Sequence, residues 1–182
     1  MVYKFLIVSD EVDNFRREIE IDADSTFLAL RNAICESVGY DKNQMSSFFI
    51  CDEGWEKDVE ITLEDMGSDS SEDVYLMEDS IISDFVEDEG QRLLFVFDYM
   101  TERCFFMELK ESEPGRNMLD PLCTVARGKA PAQIMDFKEF EEKAVKTTAV
   151  SDADLDADFY GSTDYTPDEF DTEGFDEMTF EQ

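Results

Sequence analysis

Histidine is absent from the 182 residues. The chain therefore lacks the side chain that ordinarily exchanges a proton near neutral pH, and the commonest nitrogen ligand for zinc. Cysteine is sparse and scattered: Cys35, Cys51, Cys104 and Cys123 include no C-x-x-C pair, which argues against a zinc knuckle or a dithiol redox motif. Four reduced, mostly buried thiols in a cytoplasmic protein are expected, with no cofactor and no bound metal. Bases are few. Fifteen lysines and arginines face 47 acids, for a net charge of -32, and no base follows Lys146. A field of that sign repels phosphate backbones and anionic membrane surfaces and attracts cationic partners. No segment approaches the roughly 18 apolar residues of a membrane span, and the apolar run in MVYKFLIVSDEV is short for a secretory signal.

What is present reads first as a fold. In VYKFLIVS, Tyr3, Phe5 and Ile7 alternate with Val2, Lys4, Leu6 and Val8. After the turn chemistry of DEVD, NFRREIEI sets Phe15, Arg17, Ile19 and Ile21 against Arg16, Glu18 and Glu20, a strand with one wet face. Phe27, Leu30, Ile34 and Val38 then form a helical stripe, with Asp24 or Ser25 as its N-cap and Gly39 as its left-handed C-cap. SFFIC from Ser47 reads as a third strand. This strand-strand-helix-strand start predicts an α+β fold with a β-grasp-like mixed sheet and one main packed helix.

The stretch from Asp52 to Gly90 carries sixteen acids against the single base Lys57 and reads as irregular, with a short strand at VYLME and a helical turn at SIISDFV. Trp55 within it either covers the core edge or stacks on a partner. RLLFVFDY and CFFMELK form a strong hairpin, expected at the sheet's centre. Leu93, Phe95, Phe97 and Tyr99 share one face, and Phe105, Met107 and Leu109 share another. ESEPGRNMLDPLCTVARGKAPAQ is loop-like, punctuated by Pro114, Gly115, Pro121, Gly128 and Pro131. DFKEFEEKAVK is a further helix candidate. One domain over residues 1–150 and an acidic tail over 151–182 follow.

RLLFVFDYMTERCFFMEL resembles the strand, D-F-G-D-G-W-x-H and strand segment of the plasmid pRi ORF-3-like family. VGYDKNQMSSFFI is similar to its M-G-W-D-x-x-H-L-H-x-F-x-I, and PLCTVARGKAP to its P-x-C-x-x-G-x-x-A-P. The three blocks keep the family's order and fall within residues 1–133, with the tail outside them. The resemblance implies an α+β fold with a β-grasp-like core and no established activity. Asp41, Asp98 and Cys123 match the pattern. Gln44 and Ser46 stand where the family has histidines, and Arg103 and Phe105 where it has tryptophan and histidine. Gln, Ser and Phe cannot take over metal binding or near-neutral proton transfer from histidine. Some members carry a recombinase-like label as passengers of transposable elements. That chemistry needs a serine among arginines on a basic DNA surface, and Ser46 and Ser47 have no arginine close in sequence.

The tail holds twelve acids and no base, with Tyr160, Tyr165, Phe170, Phe175 and Phe180 every fifth residue. Five matches neither the helical nor the strand period. Asp152, Asp154, Asp156 and Asp158 alternate like calcium ligands, yet no register supplies the glycine at position six and the glutamate at position twelve of an EF-hand. An extended acidic chain would present its rings about 16 Å apart, a spacing for separate pockets along a basic, apolar groove. Docking on the chain's own body and an inert solvated tail stay open beside this reading. The function expected is a non-enzymatic binding module whose tail engages a basic protein or basic groove. The alternatives are an enzyme of unknown reaction using Asp41, Asp98 and Cys123, or an acidic mimic of nucleic acid occupying a DNA- or RNA-binding protein.

Overall fold

The computed structural model describes residues 1–65 and 74–135. Strands β1 (Val2–Val8) and β2 (Arg16–Asp22) lead into helix α1 (Phe27–Val38), then β3 (Ser47–Cys51), β4 (Lys57–Thr62) and β5 (Tyr75–Leu76). A 3-10 turn (Ile82–Asp84) precedes β6 (Arg92–Asp98), β7 (Arg103–Glu113) and β8 (Leu122–Arg127). The eight strands form one sheet in the order β5-β4-β3-β6-β7-β1-β2-β8. The β6–β7 hairpin sits at its centre, as its apolar alternation predicts. Among the described pairs only β4 and β5 run parallel, which makes the α+β sheet a mixed one.

Alternation sorts the side chains. Phe5 lies between Ile19 of β2 and Leu109 of β7, and Phe95 between Phe48 of β3 and Phe105 of β7. All six are fully buried, each such side chain contributing about 1.5–3 kcal/mol of transfer free energy. Helix α1 closes this face with Phe27, Leu30 and Ile34 and packs against β2 and β8. Its N-cap is Thr26, whose hydroxyl accepts from the Ala29 amide at 3.3 Å, rather than Asp24 or Ser25. Gly39 ends the helix at φ 75°, as expected. On the opposite face Trp55 meets the Phe106 ring edge-on at 4.9 Å. The Arg92 guanidinium lies 5.1 Å from the Trp55 ring, and the Lys57 ammonium 4.6 Å from the Phe49 ring.

Three further expectations need correction. Residues 122–127 are not loop but edge strand β8, paired with β2. Residues 57–62 are strand β4 within the supposedly irregular stretch. The hairpin's two apolar sets do not occupy different faces: Leu93 pairs with Met107 and Phe95 with Phe105, and directly paired residues share a face. Met1–Ile134 forms one compact unit. The helix candidate at 136–146, the acidic GSDSSED run, the Val150 boundary and the aromatic tail lie outside the described residues.

Candidate functional site

The three motif blocks meet at a residue that none of the motif readings singled out. Gly39 turns the chain so that the Tyr40 amide donates to the Cys35 carbonyl at 2.9 Å. The Tyr40 ring then lies 5.2 Å from Phe97 and 5.8 Å from Phe105, and its hydroxyl donates to the Pro131 carbonyl at 2.8 Å. Burial pushes the phenol's pKa well above its ordinary value, against a smaller opposite pull from Arg103, so Tyr40 is a neutral donor. A reciprocal clamp reinforces the junction: the Asp41 amide donates to Gln133 Oε1 at 2.7 Å, and Gln133 Nε2 donates to the Asp41 carbonyl at 3.0 Å. Beside them lies an open groove of about 390 Å³ between Val12, Val38, Tyr40, Lys129 and Pro131.

Each motif residue is committed to local structure. Asp41 Oδ1 accepts from the Asn43 amide at 2.9 Å and from its side chain at 2.8 Å, an Asx turn. The buried Arg31 side chain holds the next part of the loop. Its Nε donates to Ser46 Oγ, and its Nη2 to the carbonyls of Lys42 and Gln44, all at 2.7 Å. Gln44 thus serves through its backbone, and the arginine that the sequence did not place near Ser46 arrives from the helix.

Asp98 ends β6. Its carboxylate accepts from the Met100 amide at 3.0 Å and the Thr101 hydroxyl at 2.8 Å, closing the hairpin turn. Arg103 donates through Nε and Nη2 to the two oxygens of Glu11 at 2.8 and 2.9 Å, a bidentate pair. Its guanidinium lies 5.1 Å from the Phe97 ring centre. The buried Nη1 has no hydrogen-bond partner and stands 3.8 Å from Asp98 Oδ2. Phe105 is the hub of the aromatic cluster, stacked on Phe15 at 4.9 Å with an interplanar angle of 15° and packed on Phe97 at 4.7 Å.

Cys123 lies elsewhere. It is half-buried on β8, paired with Ile19, with Sγ 3.3 Å from the Val125 carbonyl, and three strands separate β8 from β6. Asp41, Asp98 and Cys123 therefore do not converge. No group of three or more His, Cys, Asp or Glu close enough to hold a metal occurs among the described residues.

Arg31, Tyr40 and Arg17 were the residues missed. Arg31 and Arg17 carry one sequence signal: a lone cation inside an otherwise apolar set. Arg31 falls four residues after Phe27 and four before Cys35, on the buried side of α1, while Arg17 sits between Phe15 and Ile19. Arg17 donates to the carbonyls of Ser37 at 3.2 Å and Arg127 at 2.6 Å, fastening α1 and β8 to β2. Tyr40 lay inside a quoted motif, but its role depends on Phe97, Phe105 and Pro131, all remote in sequence.

The fold and the site define a mixed-sheet α+β protein, with one α-helix among the described residues, whose three sequence blocks converge on a tyrosine-capped aromatic cluster. The match to the family described as plasmid pRiA4b ORF-3-like protein runs over residues 3–178, and the chain belongs to that family. The match extends well beyond Gln133, into the segment outside the three motif blocks. Among solved structures, the crystal structure of a protein of unknown function from Methanosarcina mazei Go1 is similar. It has 18% identity, 81% of each chain covered and a TM-score of 0.57, a likeness of fold. No curated protein matches. No helix among the described residues is long and apolar enough to cross a membrane.

Proposed function

We propose that this protein is a non-enzymatic binding module whose acidic, aromatic C-terminal segment engages a basic protein or basic groove. One observation carries the reading: the side chains of Asp98, Arg103, Ser46 and Phe105, at motif positions, are spent on holding the fold. Asp98 closes a turn, Arg103 is paired with Glu11, Ser46 accepts from Arg31, and Phe105 fills the core. General acid–base catalysis needs a titratable group within reach of a bound substrate, and these groups are turned toward their own backbone and neighbours. The net charge of -32 favours a cationic partner by long-range attraction. In the C-terminal segment, rings at 160, 165, 170, 175 and 180 supply anchors and the intervening acids supply steering.

The test is affinity capture at low and high salt, with the full chain and with a full-length variant carrying Phe170→Ala and Phe175→Ala. A basic protein retained by the first and released by the second supports the proposal. Identical capture by both excludes the tail as the binding element.

A further inference from the structure

We infer that the body carries its own docking groove for the same kind of partner, between β5 and the 3-10 turn. There it takes an extended basic segment with an apolar or aromatic anchor. The inference rests on the proposed basic partner, but assigns it a second contact independent of the tail. The groove encloses about 470 Å³ along Val74, Tyr75, Asp79, Ser80, Asp84 and Phe85.

Its floor is aromatic and fixed. Tyr75 meets Phe85 edge-on at 5.0 Å, Phe85 meets Phe27 at 5.8 Å, and Phe27 packs on Phe48 at 5.3 Å, which ties the groove to the core. Backbone bonds fix the wall: the amides of Phe27 and Leu28 donate to the carbonyls of Ser80 at 3.0 Å and Met77 at 2.9 Å. Little reorganisation would accompany binding. Val74 and Tyr75 nevertheless stay 44% and 37% exposed, and β5, at the end of the sheet, has a strand neighbour on one side only among the described residues.

Charge selects the occupant. Asp79 and Asp84 are exposed at the rim and form no ion pair among the described residues. No lysine or arginine occurs between Lys57 and Arg92. Elsewhere on the body many carboxylates have a cation in contact, as Glu20 has Lys4 and Arg116. An apolar floor under an acidic rim fits a segment whose aliphatic or aromatic side chain packs over Tyr75 and Phe85 while lysines or arginines reach Asp79 and Asp84. A second copy of this chain is a poor occupant, because two bodies of the same strong negative charge repel.

The experiment titrates the full chain at physiological salt with the peptide acetyl-Lys-Lys-Leu-Phe-Lys-Lys-amide, following backbone amide shifts and Kd together. Shifts are expected at Tyr75, Leu76, Ser80 and Phe85. Asp79→Asn with Asp84→Asn should raise Kd roughly twofold to thirtyfold, the range for two rim charges. Serine in place of the peptide's Leu-Phe should raise Kd roughly tenfold or more. Tyr75→Ser, at a floor position that is 37% exposed, should weaken binding without altering the fold. Shifts confined to other surfaces, or a Kd unchanged by the paired asparagines and by Tyr75→Ser, would overturn the groove. So would self-association in place of peptide binding. The Phe170→Ala, Phe175→Ala variant separates the two readings. If it binds the captured partner normally while the groove variants do not, the tail proposal fails and the groove stands; the reverse pattern removes the groove alone.

Discussion

Replacing Arg31 by methionine keeps an unbranched stem, shortens the side chain by two atoms, and removes the three N–H groups in use at a site where the residue is 2% exposed. The Ser46 hydroxyl and the carbonyls of Lys42 and Gln44, each bonded at 2.7 Å, lose their partner together. A hydrogen bond to a charged group is worth about 1.5–3 kcal/mol. The Lys42 and Gln44 carbonyls lie near the surface and recover part of this from water. The variant is also relieved of a buried guanidinium with no carboxylate partner among the described residues. The balance is a loss of about 3 kcal/mol, or roughly 6–12 °C in Tm for a chain of this size. Urea denaturation measures the loss, and hydrogen exchange locates it in residues 41–46. Arg31→Lys keeps the charge but cannot span three acceptors with one ammonium, so it should recover less than half. A loss below about 1 kcal/mol for Arg31→Met would refute the reasoning. The Gln44–Ser46 segment would then not depend on the helix for its shape.

Gly128 holds φ +68°, and a Cβ there would stand 2.6 Å from the Asn14 carbonyl oxygen. Gly128→Ala should therefore cost about 2–4 kcal/mol, roughly 1 from the left-handed backbone and the rest from displacing β8 and its bonds to Arg17; a thermal melt checks it. Tyr40→Phe should cost about 1 kcal/mol by removing the bond to the Pro131 carbonyl, with faster amide exchange at Ala132 and Gln133. Burial pushes the Cys104 thiol up to about 11 from an ordinary 9.0. The folded state thus holds this proton more tightly than the unfolded one, and the stability it contributes is complete below about pH 9 and lost as pH rises through about 11. Cys104→Ala should flatten the decline in stability over that window, and alkylation of Cys104 at pH 8 should be slower than that of a free thiol.

The central strands and the helix were legible because their periodicity is enforced by burial. Phe5, Ile19, Phe48, Phe95 and Phe105 occupy alternate positions, since one sheet face takes α1. Edge elements escape that logic. Leu122–Arg127 is mostly exposed, so nothing compels alternation, and its flanking prolines and glycines suggest a loop. Lys57–Thr62 buries only Ile61 and Thr62. Cross-strand register was illegible for a different reason. Which face of β7 joins which face of β6 depends on the turn that Asp98 caps, not on either strand alone. At the site, the sequence marked most of the positions but not their bonds, because Arg31 and Tyr40 work through backbone carbonyls that any residue supplies.

Rate constants for the captured basic partner test the central claim most directly, by stopped-flow over a range of ionic strengths. The account predicts that Phe170→Ala with Phe175→Ala leaves the association rate unchanged and speeds dissociation, roughly tenfold or more for two buried anchors. Asp168→Asn, Glu169→Gln and Asp171→Asn together should slow association and flatten its salt dependence. Association and dissociation rates identical to those of the unmodified chain in both variants would contradict it, and the five-residue spacing of the rings would then have no part in binding.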